Sequence, residues 1–250
     1  MDINLNTNNT MKRTIKMMTL VAVAAGLAFA SCQKEDSNST AANNGGTNGG
    51  GQATAEWVDL GLPSGLLWAT CNLGATTPEG YGDYYAWGET TTKSTYNWST
   101  YRYCNGSSST MTKYCDNSSY GYNGFTDNLT TLEAMDDVAA QKLGDGARMP
   151  TAAEWRELIA NTTAEWTTVN GVNGRKFTAA NGNTLFLPAA GCRWDGVLGP
   201  AGSYGYYKSS SLYEGGPSYA WDFYFGEGEQ SMGDGHRDYG HSVRAVRSQN

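Results

Sequence analysis

Residue types capable of acid, base or metal chemistry concentrate near the C-terminus of this 250-residue chain. Both histidines, His236 and His241, lie there among tyrosine, serine and glycine. Carboxylates accompany them, and calcium in proteins takes six to eight oxygen ligands. The spacing of these acids matches no EF-hand loop, so we interpret them as solvated side chains and predict no metal or other cofactor. The acids are Asp222, Glu227, Glu229, Asp234 and Asp238.

Thiol chemistry has few candidates beyond the N-terminal segment. The four cysteines there show no Cys-x-x-Cys spacing and lie far from both histidines in sequence, which makes a metal site the weaker interpretation. A location outside the cytoplasm, argued below, permits disulfides, and four cysteines allow three pairings. Only the short loop between Cys104 and Cys115 suggests one of them, and the pairing stays open. The other two cysteines are Cys71 and Cys192.

The distribution of asparagine separates the C-terminal region from the rest of the chain. Nineteen of the 20 asparagines lie in residues 1–183 and the last is Asn250, so residues 184–249 contain none. Even placement would put about five there. The pattern resembles the variable regions of proteins diversified by retroelements, in which mutation of template adenines converts asparagine codons to Tyr, Asp, His, Ser and Gly codons. A loop-rich region that simply avoids asparagine is the alternative.

Tyrosine-rich sequence of this kind favours binding, because Tyr supplies a large amphipathic contact area at small entropic cost while Ser and Gly adapt around it. Alternation in the strand expected here places Trp221, Phe223 and Phe225 on a buried face. Asp222 and Tyr224 then point toward a ligand or solvent. We predict as ligand contacts those residues whose types can arise from asparagine codons by mutation of adenines. Within a variable tract at 192–241 they are Asp195, Tyr204, Asp222, Tyr224, Asp234, His236, Asp238, Tyr239 and His241.

The charge of the chain argues against a nucleic-acid partner. The formal net charge is -7, from 17 Lys and Arg against 24 Asp and Glu, and few lysines lie outside the N-terminal segment. Affinity for nucleic acids comes largely from Lys and Arg on phosphates. We therefore expect no nucleic-acid binding.

A helix near the middle of the chain is the clearest element available to position the C-terminal region. Thr151 can accept a hydrogen bond from the amide of Glu154, and the Glu154 carboxylate can accept one from the amide of Thr151, which together form a capping box. Trp155, Leu158 and Ile159 follow at three- and four-residue spacing and form an apolar face. The Gly-rich segments on either side favour an irregular β-sheet as the packing partner.

Short strands and one further helix complete the prediction of an α+β fold. Apolar spacing predicts a helix at 131–143, which Gly144 ends. Residues 90–128 show no sustained period and are predicted to form a long loop. Asn-Gly pairs predict tight turns. The strands are predicted at 57–60, 66–70, 175–178 and 184–187, and the turns at 170–171, 173–174 and 181–182.

The N-terminus indicates export and a lipid anchor. Residues 1–31 combine a basic segment, an apolar segment and small residues, as in a signal peptide. Phe29-Ala30-Ser31-Cys32 resembles a bacterial lipobox, which predicts cleavage before Cys32, acylation including palmitate, and membrane attachment through several acyl chains. An incidental cysteine after a secretory signal is the alternative. Gln33-Lys34-Glu35-Asp36 resembles signals that send lipoproteins to the outer face of the outer membrane, and residues 32–55 are predicted to be a flexible linker.

Several motifs in residues 56–247 resemble the FISUMP (major paralogous domain) family. The motifs are DLGLPSG at 59–65, WATCNLGA at 68–75, YGDYYAWGE at 81–89, RMPT at 148–151, GYYKSS at 205–210 and SVRAV at 242–246. The resemblance implies one domain at 56–250 with a C-type-lectin-like fold related to that of formylglycine-generating enzymes, in which the terminal strands pair and two helices flank a loop-rich antiparallel sheet. Lys208 departs from the family, which more often has Trp there.

The favoured function is that of a surface receptor or adhesion lipoprotein, not an enzyme. Its C-terminal face is expected to bind a protein or glycan on another cell, a phage or a host. A structural or assembly subunit of a surface appendage is the alternative. A formylglycine-generating enzyme is the third hypothesis, but those enzymes use a pair of reactive cysteines late in the domain, and this half of the chain has only Cys192.

Overall fold

The computed structural model describes residues 55–249, which are mostly β-structure with two short helices. The strands form several small antiparallel sheets, an α+β arrangement. The signal segment at 1–31, the lipidation residue Cys32 and the linker up to residue 54 lie outside the described residues. Within the described part of the chain, no helix has the length and apolar character needed to cross a membrane.

Fourteen elements follow one another in these residues, of which three are helical. The helices are a 3-10 turn at Tyr122–Gly124, α1 at Val138–Leu143 and α2 at Ala152–Asn161. The first strands are β1 Trp57–Asp59, β2 Leu66–Ala69, β3 Thr162–Val169, β4 Val172–Ala179 and β5 Thr184–Pro188. The later strands are β6 Cys192–Trp194, β7 Val197–Gly199, β8 Gly205–Leu212, β9 Tyr219–Phe225, β10 Gln230–His236 and β11 Val246–Ser248.

The two ends of the described chain meet in the sheet β1-β2-β11. Trp68 of β2 pairs with Val58 on one side and Val246 on the other, both antiparallel. The fully buried Arg244 secures the junction, since its Nε and Nη2 donate to Asn72 Oδ1 and its Nη1 donates to the Ala69 carbonyl. The strands predicted at 57–60 and 66–70 are confirmed to within a residue.

Helix α2 begins with the predicted capping box. The Glu154 amide donates to Thr151 Oγ1 at 3.2 Å and the Thr151 amide donates to Glu154 Oε2 at 2.7 Å. Trp155 and Leu158 are fully buried, so the predicted apolar face is confirmed. Trp155 contacts Trp68 at 4.9 Å and Phe223 at 5.2 Å between ring centroids. The helix therefore joins the terminal sheet to the sheet of β8, β9 and β10.

The helix predicted at 131–143 is wrong over its first half. The Leu132 amide donates to the Ser210 carbonyl, which keeps this segment extended against β8. Asp137 then starts α1, because its carboxylate accepts from the amides of Ala139 and Ala140. Met135, one of the apolar residues at helical spacing in this segment, has 65% of its surface exposed. A strong N-cap residue set the true helix start.

Two of the three predicted turns are confirmed and one is wrong. Asn170 and Gly171 both have positive φ, as a type I′ turn requires, and connect β3 to β4. The turn at 181–182 connects β4 to β5. Asn173 and Gly174 instead lie inside β4, where a Cβ on Gly174 would come within 2.4 Å of the Leu187 carbonyl oxygen. Close packing of strands, not a turn, explains that glycine.

The long loop at 90–128 is confirmed, and it is well packed. Only the 3-10 turn interrupts it, yet Tyr96, Tyr101 and Tyr114 are buried. The four cysteines in residues 55–249 are all free thiols, so the pairing suggested for Cys104 and Cys115 does not form. Aromatic packing, not a disulfide, holds this loop.

Candidate ligand-binding face

The sheet β10-β9-β8 has two chemically different faces. Tyr207, Phe223 and Phe225 are fully buried against Trp155 and neighbouring core residues. The opposite face follows from the register, in which Tyr206 pairs with Tyr224 and Lys208 pairs with Asp222. Side chains that alternate along the same strands thus form a hydrophobic core on one side and a polar, aromatic surface on the other.

Three tyrosines form a stack on the opposite face, and we call Tyr204, Tyr206 and Tyr224 the tyrosine face. Tyr204 and Tyr206 lie 6.2 Å apart, and Tyr206 and Tyr224 lie 6.4 Å apart, with interplanar angles of 27° and 24°. Each ring is partly exposed. The His241 ring closes one side of the stack at 5.5 Å from Tyr206. Burial raises the pKa of the Tyr206 hydroxyl above its ordinary value.

A buried polar network lies beside the tyrosine face, formed by Lys208, Asp222 and His241. Lys208 is fully buried, and its Nζ donates to the His236 carbonyl at 2.7 Å. His241 Nδ1 lies 3.2 Å from Asp222 Oδ2. Gly235 makes room for this contact, because a Cβ there would lie 2.3 Å from Asp222 Oδ2. The Lys208 contact thereby ties β8 to the end of β10.

Burial decides the protonation of this network. Desolvation, with the nearby Lys208 charge, lowers the pKa of His241 to about 4. Desolvation also lowers the pKa of Lys208, to about 8, while Asp222 and Asp238 favour its charged form. At neutral pH His241 is therefore neutral, while Lys208 remains mostly charged.

A second set of rings, which we call the aromatic ladder, includes Tyr219, Trp221 and His236, which by the β9–β10 register lie on the side of the sheet opposite Tyr224. Successive centroids lie 6.1, 4.9, 4.7, 6.3 and 4.9 Å apart, and every ring is partly exposed. The Arg156 guanidinium extends it at 4.5 Å from the last ring. The ladder therefore presents a continuous row of half-buried aromatic surface. Its members in order are Trp194, Tyr239, His236, Tyr219, Tyr213 and Trp221.

The fully buried Arg237 anchors the turn that carries the ladder. Its Nε donates to the Tyr101 hydroxyl, and its Nη1 donates to the carbonyls of Tyr114 and Pro217. The guanidinium also lies 4.7 Å from the Trp87 ring centroid, in a cation–π arrangement. One side chain thus connects the long loop to the segment that bears His236 and Tyr239.

The nine nominated residues divide into three groups. Tyr204 and Tyr224 belong to the tyrosine face, and His236 and Tyr239 belong to the aromatic ladder. Asp195 is exposed in the β6–β7 turn next to Trp194, where its Oδ1 accepts from Asn97. Asp234 is also exposed, but it pairs with Trp221 and so shares the side of the sheet opposite Tyr224. The last group is Asp222, Asp238 and His241.

These last three residues are buried, with exposed fractions of 3%, 1% and 2%. The expectation that Asp222 points toward a ligand or solvent needs correction: it does lie opposite Phe223, but His241 and Gly235 cover it. Asp238 lies beneath the ladder, with its Oδ1 3.6 Å from His236 Nδ1. These three residues therefore support the exposed residues above them and cannot contact a ligand themselves.

Five partly exposed rings of the tyrosine face and the ladder are absent from the nine predicted contacts. Tyr206 belongs to the GYYKSS motif, and Trp221 was wrongly predicted to be buried, since the structure leaves it partly exposed beside Tyr213 and Arg156. The prediction also omits Trp194, Tyr213 and Tyr219. Tyr213 and Tyr219 flank a Gly-Gly-Pro turn. Aromatic residues beside such a turn were the signal available for them.

No protein-family model, curated protein or solved structure matches this chain. Within residues 55–249, no group of three or more His, Cys, Asp and Glu side chains is placed to hold a metal ion.

Proposed function

We propose that this protein is a surface-anchored receptor or adhesion lipoprotein whose C-terminal face binds a protein or glycan on a cell, phage or host surface. The observation that carries the proposal is the presence of two sets of partly exposed, mutually packed rings, the tyrosine face and the aromatic ladder. Large aromatic side chains dominate the energy of binding interfaces. Clusters of partly exposed aromatic rings indicate such an interface.

The buried network beneath these rings supports the proposal. Lys208 and Arg237 fix the backbone on either side of the β9–β10 hairpin through carbonyl contacts. A surface held in one geometry before binding loses less conformational entropy when the ligand arrives. The tyrosine surface thereby has the composition and the rigidity of a paratope.

The stacking geometry favours a protein ligand over a glycan. His236 and Tyr239 lie nearly parallel at 17°, so the two rings cover each other's faces. A stack leaves ring edges and the Tyr hydroxyl for a partner. Backbone amides and polar side chains can hydrogen-bond to those groups, whereas a sugar that packs on aromatic rings needs an open ring face.

Enzyme chemistry of the formylglycine-generating type is disfavoured. Cys192 is 6% exposed, and burial raises the pKa of its thiol to about 12. The thiolate is the reactive form of cysteine, so a thiol of this pKa is a poor nucleophile at neutral pH. A structural role in a surface appendage remains the competing proposal for the same exposed rings.

Capture from lysates tests the binding proposal. The purified protein, immobilised through the linker at 32–55, is exposed to bacterial, phage and host-cell lysates, and retained molecules are identified by mass spectrometry. We expect a specific species that the Tyr239→Ala variant no longer retains. Retention of the same species by wild type and by the variant would remove the ladder from the site.

Localisation follows from the lipobox-like run and is also proposed here. Cys32→Ser should abolish acylation and release the protein from membranes. Membrane fractionation without detergent measures this, with Cys71→Ser as the matched control that should stay bound. A Cys32→Ser protein still found with the outer membrane would contradict the anchor.

The C-type-lectin-like fold and the FISUMP assignment belong to the same proposal. Pairing of the terminal strands and two helices beside small antiparallel sheets support them. Diversification predicts a near-copy of the segment encoding residues 192–247, rich in asparagine codons, beside a reverse-transcriptase gene. Sequencing of the locus tests this, and a locus without both features would leave the face undiversified.

A further inference from the structure

The outer edge of the sheet β3-β4-β5 has unpaired backbone groups. The type I′ turn makes Val169 and Val172 a hydrogen-bonded pair, and the ladder then alternates along the register. The amides and carbonyls of Ala164, Trp166 and Thr168 consequently point away from β4. No backbone partner in residues 55–249 pairs with them.

The other side of β4 confirms this assignment. The Asn173 carbonyl accepts from the Ala189 amide, and the Ala179 amide donates to Asn183, so odd-numbered residues of β4 face β5. Even-numbered residues face β3, as the turn requires. The outward groups of β3 are thus fixed by two independent observations.

Strand β3 lacks the devices that normally protect an edge. It contains no Pro and no Lys, it runs for eight residues, and it pairs with β4 without a register shift. Edge strands usually carry such residues or bulges, because a regular edge is a template for another strand. Glu165 is its one charged residue and is paired with Lys176 of β4. The edge is suited to accept one more strand.

A groove of about 590 Å³ adjoins this edge. Trp166 of β3 and Tyr204 of the tyrosine face line it, together with the β9–β10 turn that carries Glu227 and Glu229. Both glutamates are exposed, and no Lys or Arg lines the groove. The buried Arg175 holds the turn in place, because its Nη2 donates to the Gly226 carbonyl at 2.6 Å.

We propose that an extended, basic segment of a protein ligand adds to β3 as a further strand and places Lys or Arg side chains over this groove. Main-chain hydrogen bonds would supply affinity, and alternate side chains would supply specificity, as in other cases of strand addition. A cation there meets two carboxylates and the rings of Trp166 and Tyr204. The inference rests on the proposed function, for which it specifies the ligand class.

Charge selects a basic ligand over a second copy of this chain. Residues 55–249 contain 13 Lys and Arg and 21 Asp and Glu, a net charge of 13 − 21 = −8. Two such domains repel each other, and pairing would bring two acidic grooves together. A strand that carries Lys or Arg is attracted electrostatically to this groove, whereas a second copy of the chain is repelled.

A displayed library of nine-residue peptides tests the proposal on the full chain purified in detergent. We expect selected peptides to carry Lys or Arg at alternate positions. Thr168→Pro should weaken their binding at least tenfold, because proline removes an outward amide without breaking the β3–β4 ladder. Thr168→Ala is the matched control and should bind as wild type does. Ala164→Pro repeats the test elsewhere on the edge.

Each other outcome overturns the proposal. These outcomes are a library without selected binders, selected peptides without alternate basic residues, and binding that Thr168→Pro and Ala164→Pro leave unchanged. A dimer in sedimentation that Thr168→Pro dissociates would assign the edge to a second copy. Retention of the captured ligand by Tyr239→Ala and peptide binding by Thr168→Pro are measured separately, so failure of the proposed function and failure of the strand-addition site are separate results.

Discussion

The two faces of the sheet β8-β9-β10 use the same strands for different purposes. On the inner face, Tyr207 and Phe223 pack with Trp155 and have no exposed surface. On the other face, Tyr206 and Tyr224 stay partly exposed over a buried network of Lys208 and Asp222. Apolar burial stabilises the fold on one side, while polar burial on the other positions a surface that contributes little to stability.

The inner face should give the largest stability effect. Trp155→Ala removes a fully buried indole that contacts Trp68, Tyr207 and Phe223, and we expect it to cost about 3–5 kcal/mol of unfolding free energy. Chemical denaturation measures this, with the exposed Thr163→Ala as a control near zero. A Trp155→Ala protein of normal stability but lost binding would move this helix from scaffold to site.

Loss of the buried network around Lys208 should give the second-largest loss of stability. Lys208→Met removes a buried ammonium that donates to the His236 carbonyl and whose charged form Asp222 and Asp238 favour, which should destabilise the protein by about 3 kcal/mol or more. The double variant Lys208→Met/Asp222→Asn should recover part of the loss. Equal stability of Lys208→Met and wild type would show that the network does not hold this face.

Acid should weaken the same face through His241. Its pKa is lowered to about 4 in the folded protein, so between pH 6.5 and 4 the unfolded chain binds a proton that the folded chain does not. Stability therefore falls as the pH falls through this window, by roughly 3 kcal/mol from this group, and no further below it. Denaturation of wild type and His241→Gln across this range measures the difference. Parallel curves would contradict the assignment.

Local rules predicted the parts of the fold that local interactions determine. The capping box at Thr151 and the turn at 170–171 depend on neighbouring residues, and both were predictable. The helix proposed at 131–143 failed because the Leu132 amide pairs with Ser210, a contact distant in sequence. The turn predicted at Asn173-Gly174 was wrong for the same reason. These two residues pack against β5, a contact that the local Asn-Gly pattern does not reveal.

The residue types of the candidate site could be predicted from the sequence, but the burial of individual residues could not. Alternation placed Asp222 and Tyr224 on one face correctly, yet it carried no information on what covers that face. Gly235 and His241 bury Asp222, and this follows only from the hairpin and from the chain segment that returns to Tyr85. The sequence did not predict Tyr206 as a contact, because it lies within the GYYKSS motif, whose other residues are buried.

The smallest predicted effect concerns the start of α2. Thr151→Ala removes the acceptor for the Glu154 amide and should cost about 1 kcal/mol of stability. Thermal melting measures it, with Thr151→Ser as the control that keeps the acceptor. Ligand binding should not change, because the capping box belongs to the scaffold side of the comparison.

Affinity and melting temperature measured together on Tyr224→Ala and Tyr239→Ala test the central claim most directly. The ligand is the species obtained by capture, and titration calorimetry gives the affinity. We predict that each variant loses about 2 kcal/mol or more of binding free energy, as interface aromatic residues do, while melting near the wild-type temperature. Normal binding by both variants, together with lower melting temperatures, would place these rings in the core and contradict the binding face.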